Sequence, residues 1–586
     1  MTPYRKLMIA CPVLCVLLFH QCPRWGFAAP GDSQVRLVQT GEVTIGDPVN
    51  AFNTIAFDQH KLITHGEYQY TLFWDAERHL RFARRHLATD DVQQVVFPDR
   101  ISNPTNSHLN AVVGISPKDG RLHLSYDHHN SPFRCRVSQA DFVTTPPETL
   151  STDQFSDKIN FLSEPTVTYP AFFNDGSGNL YLMFRTGSAG NGDWIMYRHD
   201  AVENAWARVG MVISRAGTYK GSSSRCAYHN DLLFDRDDRL HLAWVFREPG
   251  PHRTNHGLYY AYSDDYGATW HNDGGEQIAD LAANQPIRVD SAGIRVLDIP
   301  QNSWVLNQDA MVLDFRNQPH MIISRSCNVT ANIAETNIHI MHYWRTPDGQ
   351  WHEQTILDTK STIGRGEGWT QVIDWRGDVF MDEHDNLYAY FPMQDDILYA
   401  AQAKHSDGWR QWTVYPLTDA ETTLPHYLIN QAGQKYDRFR WARDAMLSVP
   451  LVIRRDGRNQ YVIRDYVLGR PAGRAAEAVE ASVSRPVSDG RGATLPALPE
   501  PPAGALGYPD RSANLDALPG FRKPPNGYGP VPIYLWTGDQ LTRERLAWQL
   551  DVRGGRNREN HHRQHPGPGS TPRCEWPDTK PDRPGQ

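Results

Sequence analysis

The sequence predicts an all-β protein, and three observations support this prediction. Its 586 residues include 17 Trp, 25 Tyr and 21 Phe together with 44 Gly and 41 Pro, a composition typical of many strands and turns. Helical periodicity is sparse. Between about residues 40 and 470, a turn rich in Asp, Asn and Gly is repeatedly followed by short strands in which apolar residues alternate.

This strand and turn unit occurs about seven times. The copies span 70–82, 110–138, 174–198, 235–262, 314–344, 382–401 and 456–467. Repetition on a scale of tens of residues, with strands in each unit, is typical of a propeller, whereas a β-sandwich needs fewer units. The sequence therefore predicts a seven-bladed β-propeller over residues 35–470.

The first 29 residues have the pattern of an export signal. Basic residues near the start precede an apolar run over 7–19, and the small residues Ala28 and Ala29 follow. Because the run is too short for a comfortable membrane span, we expect cleavage and a secreted or periplasmic protein without a membrane span.

Three further segments follow the predicted propeller. Residues 471–519 are rich in Pro, Ala and Gly without apolar periodicity, which predicts a linker. Residues 520–551 resemble the start of a rhamnosidase-type glycoside hydrolase but are too short to fold as one. Residues 552–586 form a polar tail of Arg, His, Pro and Gly that we expect to be disordered.

Charge and cysteine content narrow the function classes. The formal charge of −8 argues against a nucleic acid partner, since phosphate binding needs a basic surface. An anionic substrate requires arginines concentrated locally. The cysteines left after removal of the signal are widely spaced and form no disulfide framework; Cys226 and Cys327 could pair, remain buried or bind a metal.

The second unit contains a hairpin with histidines at both of its open ends. An alternating run over 111–116, a turn, and a second alternating run ending at Tyr126 predict two antiparallel strands. The start of the first strand and the end of the second then lie together, so His108 and the pair His128-His129 are expected to meet. Converging imidazoles indicate proton transfer or metal binding.

The fourth unit contains an Asp-box. Ser263, Asp265, Gly267, Thr269 and Trp270 fit the pattern Ser-x-Asp-x-Gly-x-Thr-Trp. In this hairpin turn the Ser and Asp side chains bind turn amides and the Trp packs between strands. We expect a structural role.

Polar residues also recur at equivalent places in the two units after the hairpin. Tyr169 lies where one strand begins, and Arg185 lies where the next strand ends. The segment containing Tyr228 and Asn230 begins the following unit in the same place. Because propeller blades are arranged radially, these positions are expected on one central face.

These motifs resemble a known family. Ser107-His108, Tyr126-Asp127-His128-His129, Thr168-Tyr169-Pro170, Phe184-Arg185 with Gly190-Asn191-Gly192, and Arg225-x-Ala227-Tyr228-x-Asn230, followed by Asn255-His256 and the Asp-box, are together similar to the bacterial-neuraminidase-repeat (BNR) proteins. That group includes the seven-bladed ulvan lyases of polysaccharide lyase families 24 and 25. The resemblance covers about residues 45–470.

The resemblance implies an active site and a reaction. It places His108, His128, Tyr169 and Arg185 in catalysis, with Tyr228 as a substrate contact; His129 and Asn230 are further expected substrate contacts. The implied reaction is β-elimination in a uronate polysaccharide such as ulvan. Arg185 and His128 would neutralise the uronate carboxylate, with Tyr169 as an acid or acid/base and His108 as the base, or the reverse.

The resemblance also raises the question of a zinc ion away from the reaction centre. His256, Cys226, Cys327 and His342 are conceivable ligands, but they lack a close spacing signature and the metal stays unassigned. No cofactor is expected for the chemistry. The expected partner is an anionic polysaccharide, and a monomer is expected.

Two other functions compete with the lyase. A sialidase would use a propeller with an Asp-box, but it needs an arginine triad, a Tyr paired with Glu, and an Asp acid. A non-catalytic glycan-binding propeller would keep aromatic and Arg contacts without converging histidines.

Overall fold

The computed structural model describes residues 35–51, 53–54, 60–331, 337–358, 376–392, 397–418 and 435–469. The predicted export signal, linker, 520–551 fragment and tail lie outside these residues. In the described part of the chain, no helix is both long and apolar enough to cross a membrane.

Twenty-eight strands lie within the described residues and pair antiparallel in seven sheets, one for each blade. Blade 1 contains β2 (Leu62–His65), β3 (Tyr68–Trp74), β4 (His79–His86) and β5 (Val92–Arg100). Blade 2 contains β6 (Ala111–Ser116), β7 (Arg121–Tyr126) and β8 (Cys135–Val137). Blade 3 contains β9 (Thr168–Asn174), β10 (Leu180–Ser188), β11 (Asn191–Asp200) and β12 (Ala205–Ile213).

The remaining four sheets complete the set. Blade 4 contains β13 (Cys226–Phe234), β14 (Leu240–Arg247), β15 (Asn255–Ser263), β16 (Thr269–His271), β17 (Gln277–Asp280) and β18 (Arg295–Leu297). Blade 5 contains β19 (Ala310–Leu313), β20 (Pro319–Ser326), β21 (Ile338–Arg345) and β22 (Trp351–Asp358). Blade 6 contains β23 (Asp378–Met381), β24 (Leu387–Pro392), β25 (Leu398–Ala403) and β26 (Trp412–Pro416), and blade 7 contains β27 (Leu447–Arg455), β28 (Arg458–Gly469) and β1 (Arg36–Gly46).

The described helical segments are short. The α-helix α1 (Arg438–Asp444) lies just before β27, and its N-cap Asp437 accepts a hydrogen bond from the backbone N–H of Arg440. The 3-10 segments are Thr152–Gln154, His252–Thr254 and His405–Asp407.

The seven sheets close into a ring. The first strands of successive blades contact one another from β2 through β6, β9, β13 and β19 to β23, and α1 contacts both β2 and β27. Blade 7 combines both ends of the propeller, because β1 pairs with β28 from Arg36 opposite Gly469 to Gly46 opposite Tyr461. The predicted seven-bladed β-propeller is confirmed.

The repeated acidic turns account for the regularity of the blades. In four consecutive blades, an Asp between the first two strands accepts hydrogen bonds from the backbone amides two and four residues later. Each such carboxylate fixes a turn locally. These residues are Asp175, Asp235, Asp314 and Asp382.

The Asp-box forms the predicted turn between β15 and β16. Asp265 accepts hydrogen bonds from the backbone and hydroxyl of Thr269 at 2.8 and 2.7 Å, and Ser263 accepts one from the amide of Gly267 at 2.8 Å. Trp270 is fully buried and donates to the carbonyl of Gly267 at 3.1 Å. These contacts stabilise the turn, so the Asp-box has the structural role expected from the sequence.

Two buried tryptophans link neighbouring blades next to His108 and Tyr228, two of the candidate site residues. The indole N–H of Trp74 in blade 1 donates to the carbonyl of Leu109 at 2.9 Å, directly after His108. The indole N–H of Trp194 in blade 3 donates to the carbonyl of Ala227 at 2.6 Å, directly before Tyr228. Because buried indole N–H groups require a partner, these bonds fix the backbone on which two candidate site residues stand.

Candidate active site

One pocket of about 360 Å³ collects residues from the ends of strands in several blades. Most of its walls come from the start of the first strand of a blade or the end of the second strand, together with the loops beside them, which lie at the same edge of each sheet. The lining residues are His108, His129, Tyr169, Arg185, Ala189, Tyr228, Arg247, His252, Asn255, Leu306, Asn307, Gln308 and Arg376.

The two ends of the blade 2 hairpin bring two imidazoles into this pocket. His108 precedes β6 and His129 follows β7, and their rings stack with centroids 4.1 Å apart and planes within 8°. The side chain of Asn106 contacts Nδ1 of both rings, at 3.0 Å for His108 and 2.9 Å for His129. The predicted meeting of histidines is confirmed for this pair.

Tyr169 is presented to the pocket by an irregularity at the start of β9. The pairing of β9 with β10 shifts between Met183 opposite Ala171 and Arg185 opposite Thr168, which leaves Tyr169 and Pro170 in a bulge. Tyr169 has a φ of +55°, a left-handed conformation that costs on the order of 1–3 kcal/mol for a residue other than glycine. Bulges of this kind redirect a side chain.

Arg185 lies between two tyrosines. Its guanidinium carbon is 5.1 Å from the ring centroid of Tyr169 and 5.7 Å from that of Tyr228, and Nη1 donates to the Tyr228 hydroxyl at 3.1 Å. The buried Nε has no partner among the described residues. A buried cation held by two rings keeps a donor available for an anion.

A glycine on the neighbouring strand makes room for this arginine. Gly192 faces Gly187 across the tight β10–β11 hairpin. A Cβ at position 192 would lie 2.5 Å from the carbonyl oxygen of Thr186 and 3.0 Å from Cδ of Arg185. Since real Cβ atoms do not approach that closely, Gly192 permits the observed path of the Arg185 side chain.

Burial and local charge set the protonation of the pocket. Burial lowers the pKa of His108 to about 3, and His129 and nearby arginines lower it too. Burial and Arg185 also lower the pKa of His129. Burial raises the pKa of the Tyr169 phenol, although Arg185 opposes the rise. At neutral pH the pocket therefore holds two neutral imidazoles and a protonated phenol.

The expected position of His128 in the cleft is wrong. Its Nε2 lies 2.9 Å from Oγ of Ser125 and 3.2 Å from the carbonyl oxygen of Arg134, and its ring stacks on Phe133. His128 is 1% exposed and does not line the pocket. The strand ends at Tyr126 and Asp127 adopts a left-handed φ of +66°, and beyond this turn only His129 of the pair faces the cleft.

Asn230 also lies elsewhere than expected. It is fully buried, and its Oδ1 accepts a hydrogen bond from the backbone N–H of Asp309 at 3.1 Å. This bond joins β13 to the segment before β19, between blades 4 and 5. Asn230 therefore belongs to the packing between blades, whereas its neighbour Tyr228 lines the pocket as expected.

Several lining residues have no counterpart among the sequence predictions. Arg247 is the last residue of β14, and Arg185 lies near the end of β10, the equivalent strand of the preceding blade. A Phe precedes each arginine, so a comparison of the two units in the sequence could have found Arg247. Arg376 precedes β23 and donates to the carbonyl and side-chain oxygens of Asn307 at 2.9 and 2.7 Å. No local pattern marks Arg376 or Gln308.

The charged side chains that line the pocket are arginines. Arg185, Arg247 and Arg376 line it, and none of its lining residues, all within the described ranges, is Asp or Glu. The buried Nε of Arg247 has no partner in the described part of the chain. This concentration of guanidinium groups suits a ligand with negative charge despite the negative charge of the chain.

The conceivable zinc ligands do not form a metal site. Cys226 is a free buried thiol, His256 bonds to Glu248 at 3.0 Å, and His342 bonds to His320 at 3.0 Å. No group of three or more His, Cys, Asp or Glu that could hold a metal ion occurs in the described ranges. Because Cys226 is free, it does not pair with Cys327.

Comparison with known proteins gives one family and a set of distant relatives. The family described as BNR repeat-containing family member matches residues 68–359. The long isoform of ulvan lyase from Pseudoalteromonas sp. (strain PLSV) is 24% identical over 39% of this chain and 27% of its own length. The short isoform from Alteromonas sp. (strain LOR) is 23% identical over 34% of this chain and 47% of its own length. The chain thus spans about a quarter to a half of these relatives.

Solved structures share the fold. The polysaccharide lyase Uly1 superimposes with a TM-score of 0.55 at 17% identity, over 73% of this chain and 99% of Uly1. A PL25 ulvan lyase bound to -[GlcA(1-4)Rha3S]- gives a TM-score of 0.53 at 15% identity, over 74% of this chain and 96% of that chain. The chain carries a BNR-type propeller that resembles those of the ulvan lyases.

Proposed function

We propose that the protein is a polysaccharide lyase that cleaves a uronate-containing, ulvan-like polysaccharide by β-elimination. The observation that carries the proposal is the grouping of a neutral imidazole at His108, a protonated phenol at Tyr169 and a guanidinium at Arg185 in one pocket without carboxylates. The names of the sequence relatives, which are ulvan lyases, support the reaction class and the substrate class.

The first requirement of the reaction is neutralisation of the uronate carboxylate. The C5 proton beside it becomes acidic enough to remove only if negative charge developing on the carboxylate is stabilised. Arg185 has a buried Nε donor and is aimed between two tyrosine rings. In our proposal Arg185 binds the carboxylate together with His129, which takes the role first expected for His128.

The second requirement is a base and an acid. A base removes the C5 proton, the C4–O bond breaks, a C4–C5 double bond forms, and an acid protonates the leaving glycosidic oxygen. The depressed pKa of His108 keeps its imidazole neutral and suits the base, and the raised pKa of Tyr169 keeps its phenol protonated and suits the acid. No step requires a cofactor.

A sialidase function is the second candidate because the pocket holds three arginines. Arginine triads bind the carboxylate in sialidases, and Arg185, Arg247 and Arg376 give the correct number. However, glycoside hydrolysis of that kind also needs acidic side chains at the reaction centre, and the lining residues described here include none. The stacked histidines favour the lyase over this candidate and over a non-catalytic glycan-binding propeller.

One experiment separates the three functions. The full chain is incubated with ulvan and, separately, with a sialoside, and the absorbance of unsaturated uronate is followed alongside free sialic acid. We expect unsaturated uronate from ulvan alone. Release of sialic acid would establish the sialidase, and binding to ulvan without either product would establish a binding module.

The pH dependence follows from the two pKa shifts. Protonation of His108 would remove the base, but its pKa of about 3 places that loss in strong acid. Deprotonation of Tyr169 would remove the acid, and its raised pKa moves that loss to alkaline pH. We expect kcat/KM to stay level from about pH 5 to pH 9. An acid limb near the ordinary histidine pKa of about 6.5 would contradict the assignment of His108.

The cellular setting is part of the proposal. An exported enzyme would meet an extracellular polysaccharide, which agrees with the signal pattern over 1–29. We also propose that the protein acts as a monomer.

A further inference from the structure

We propose that Asn106 is a positioning residue that holds His108 and His129 in opposite tautomers, so that one ring presents a lone pair and the other a proton. The catalytic consequence rests on the proposed lyase function. The tautomers themselves follow from hydrogen bonds within the protein.

The orientation of the Asn106 amide is fixed by the backbone. The main-chain N–H of His108 lies 3.2 Å from Oδ1 of Asn106, and a main-chain N–H can only donate. The atom at that position is therefore the oxygen, and the ambiguity that usually attends a side-chain amide does not arise. The same Oδ1 lies 3.0 Å from Nδ1 of His108, so Nδ1 must carry the proton.

The other end of the amide imposes the opposite state on the second ring. Nδ2 of Asn106 lies 2.9 Å from Nδ1 of His129. An amide NH₂ group only donates, so Nδ1 of His129 must accept and carries the lone pair. The neutral ring of His129 then has its proton on Nε2.

The two tautomers provide complementary groups to the pocket. With Nδ1 protonated, the lone pair of His108 is on Nε2, as a base requires. With Nε2 protonated, His129 can donate a hydrogen bond to a carboxylate or to the enolate that develops from it. Because the stacked rings are only 4.1 Å apart, a neutral amide between them sets the protons without adding charge.

The backbone of Asn106 is itself anchored. Its carbonyl accepts hydrogen bonds from Nδ2 of Asn53 at 2.7 Å and from the amide of Leu109 at 3.2 Å, and its N–H donates to the carbonyl of Asn103 at 3.1 Å. Asn53 is fully buried. A loop held at three points keeps the bridging amide in place, as a positioning residue requires.

The direct test reads the protons by NMR. In the full chain labelled with ¹⁵N-histidine, long-range ¹H–¹⁵N spectra distinguish protonated from unprotonated ring nitrogens, and His108→Gln and His129→Gln variants assign the two rings. We expect Nδ1–H for His108 and Nε2–H for His129. The same tautomer in both rings, or the reverse pair, would overturn the proposal.

An Asn106→Asp variant tests the cause. Asp keeps the acceptor for His108 but offers no donor to His129, so His129 should change to the Nδ1–H form or take a second proton. The matched control is Asn103→Asp, which adds the same charge in the same loop at an exposed residue whose side chain accepts hydrogen bonds from the backbone N–H and the hydroxyl of Thr105. Unchanged histidine signals in Asn106→Asp would refute the role of the amide.

Activity supplies a second readout. Asn106→Asp should lower kcat on the order of 10²-fold. It should also introduce an acid limb into kcat/KM, because the new carboxylate raises the pKa of both imidazoles. The other groups that face the two rings are the guanidinium groups of Arg185, Arg247 and Arg376, which oppose this rise, and the phenol of Tyr169. A merely structural defect would lower activity equally at every pH. The expected tautomers in a protein inactive on every polyuronate would refute the lyase function and leave the tautomer assignment standing.

Discussion

A Tyr169→Phe variant is expected to lose on the order of 10² to 10⁴ in kcat with little change in KM. The ring of Tyr169 packs 5.6 Å from that of His108 and 6.0 Å from that of Tyr228, and phenylalanine keeps this packing. Only the hydroxyl is removed, which in our proposal protonates the leaving oxygen. Initial rates of unsaturated uronate formation on ulvan, over a range of substrate concentrations, measure both constants.

The matched control for this variant is Tyr262→Phe. Tyr262 lies in β15, outside the pocket, and should keep wild-type kinetics after the same loss of a hydroxyl. Because the left-handed φ of +55° at Tyr169 is unaffected by the substitution, the thermal unfolding midpoints of the two variants should agree. Near-normal turnover of Tyr169→Phe would mean that another group donates the proton.

Replacement of Arg185 by alanine is expected to damage both binding and turnover. If Arg185 binds the uronate carboxylate, it contributes to the ground state and more strongly to the transition state, so KM should rise and kcat should fall, with kcat/KM reduced on the order of 10³-fold. Lysine should rescue poorly, because its point charge lacks the fork that binds a carboxylate with two hydrogen bonds and cannot repeat the contact with Tyr228 in the same geometry.

Arg198→Ala controls for the loss of a nearby positive charge. Arg198 is an exposed residue of the neighbouring strand β11 and does not line the pocket, so its removal should leave kcat and KM unchanged. An Arg185→Lys enzyme with wild-type constants would show that only charge, and no bidentate contact, is needed at this position.

The repeating architecture could be predicted from the sequence, because the signals that encode it are local. Each of Asp175, Asp235, Asp314 and Asp382 binds amides within four residues of itself. Alternating apolar residues likewise specify which face of a strand is buried. A pattern contained in a few residues can be read without knowing what packs against it.

Parts of the site were also accessible from the sequence. The ends of a hairpin must meet, so the approach of His108 to the His128-His129 pair followed from strand direction alone. Equivalent positions in successive units likewise brought Tyr169, Arg185 and Tyr228 to one pocket.

Which member of the histidine pair faces the pocket depends on the path of the chain after β7, which the sequence pattern does not predict. Strand alternation stops after Tyr126, because Asp127 adopts a left-handed φ of +66°, and beyond such a turn the period of two no longer predicts the direction of a side chain. His128 therefore packs on Phe133, while His129 stacks on His108.

The arginines and the amide that complete the pocket depended on tertiary structure for a related reason. Arg376 is 268 residues from His108 in sequence, and the two share a pocket only because the ring closes through the pairing of β1 with β28. Asn106 is only two residues from His108, yet its second bond, to His129, depends on how the hairpin ends approach. Contacts that depend on ring closure or on the path of a loop are not encoded in any local pattern, and they set the charge and the proton positions of this site.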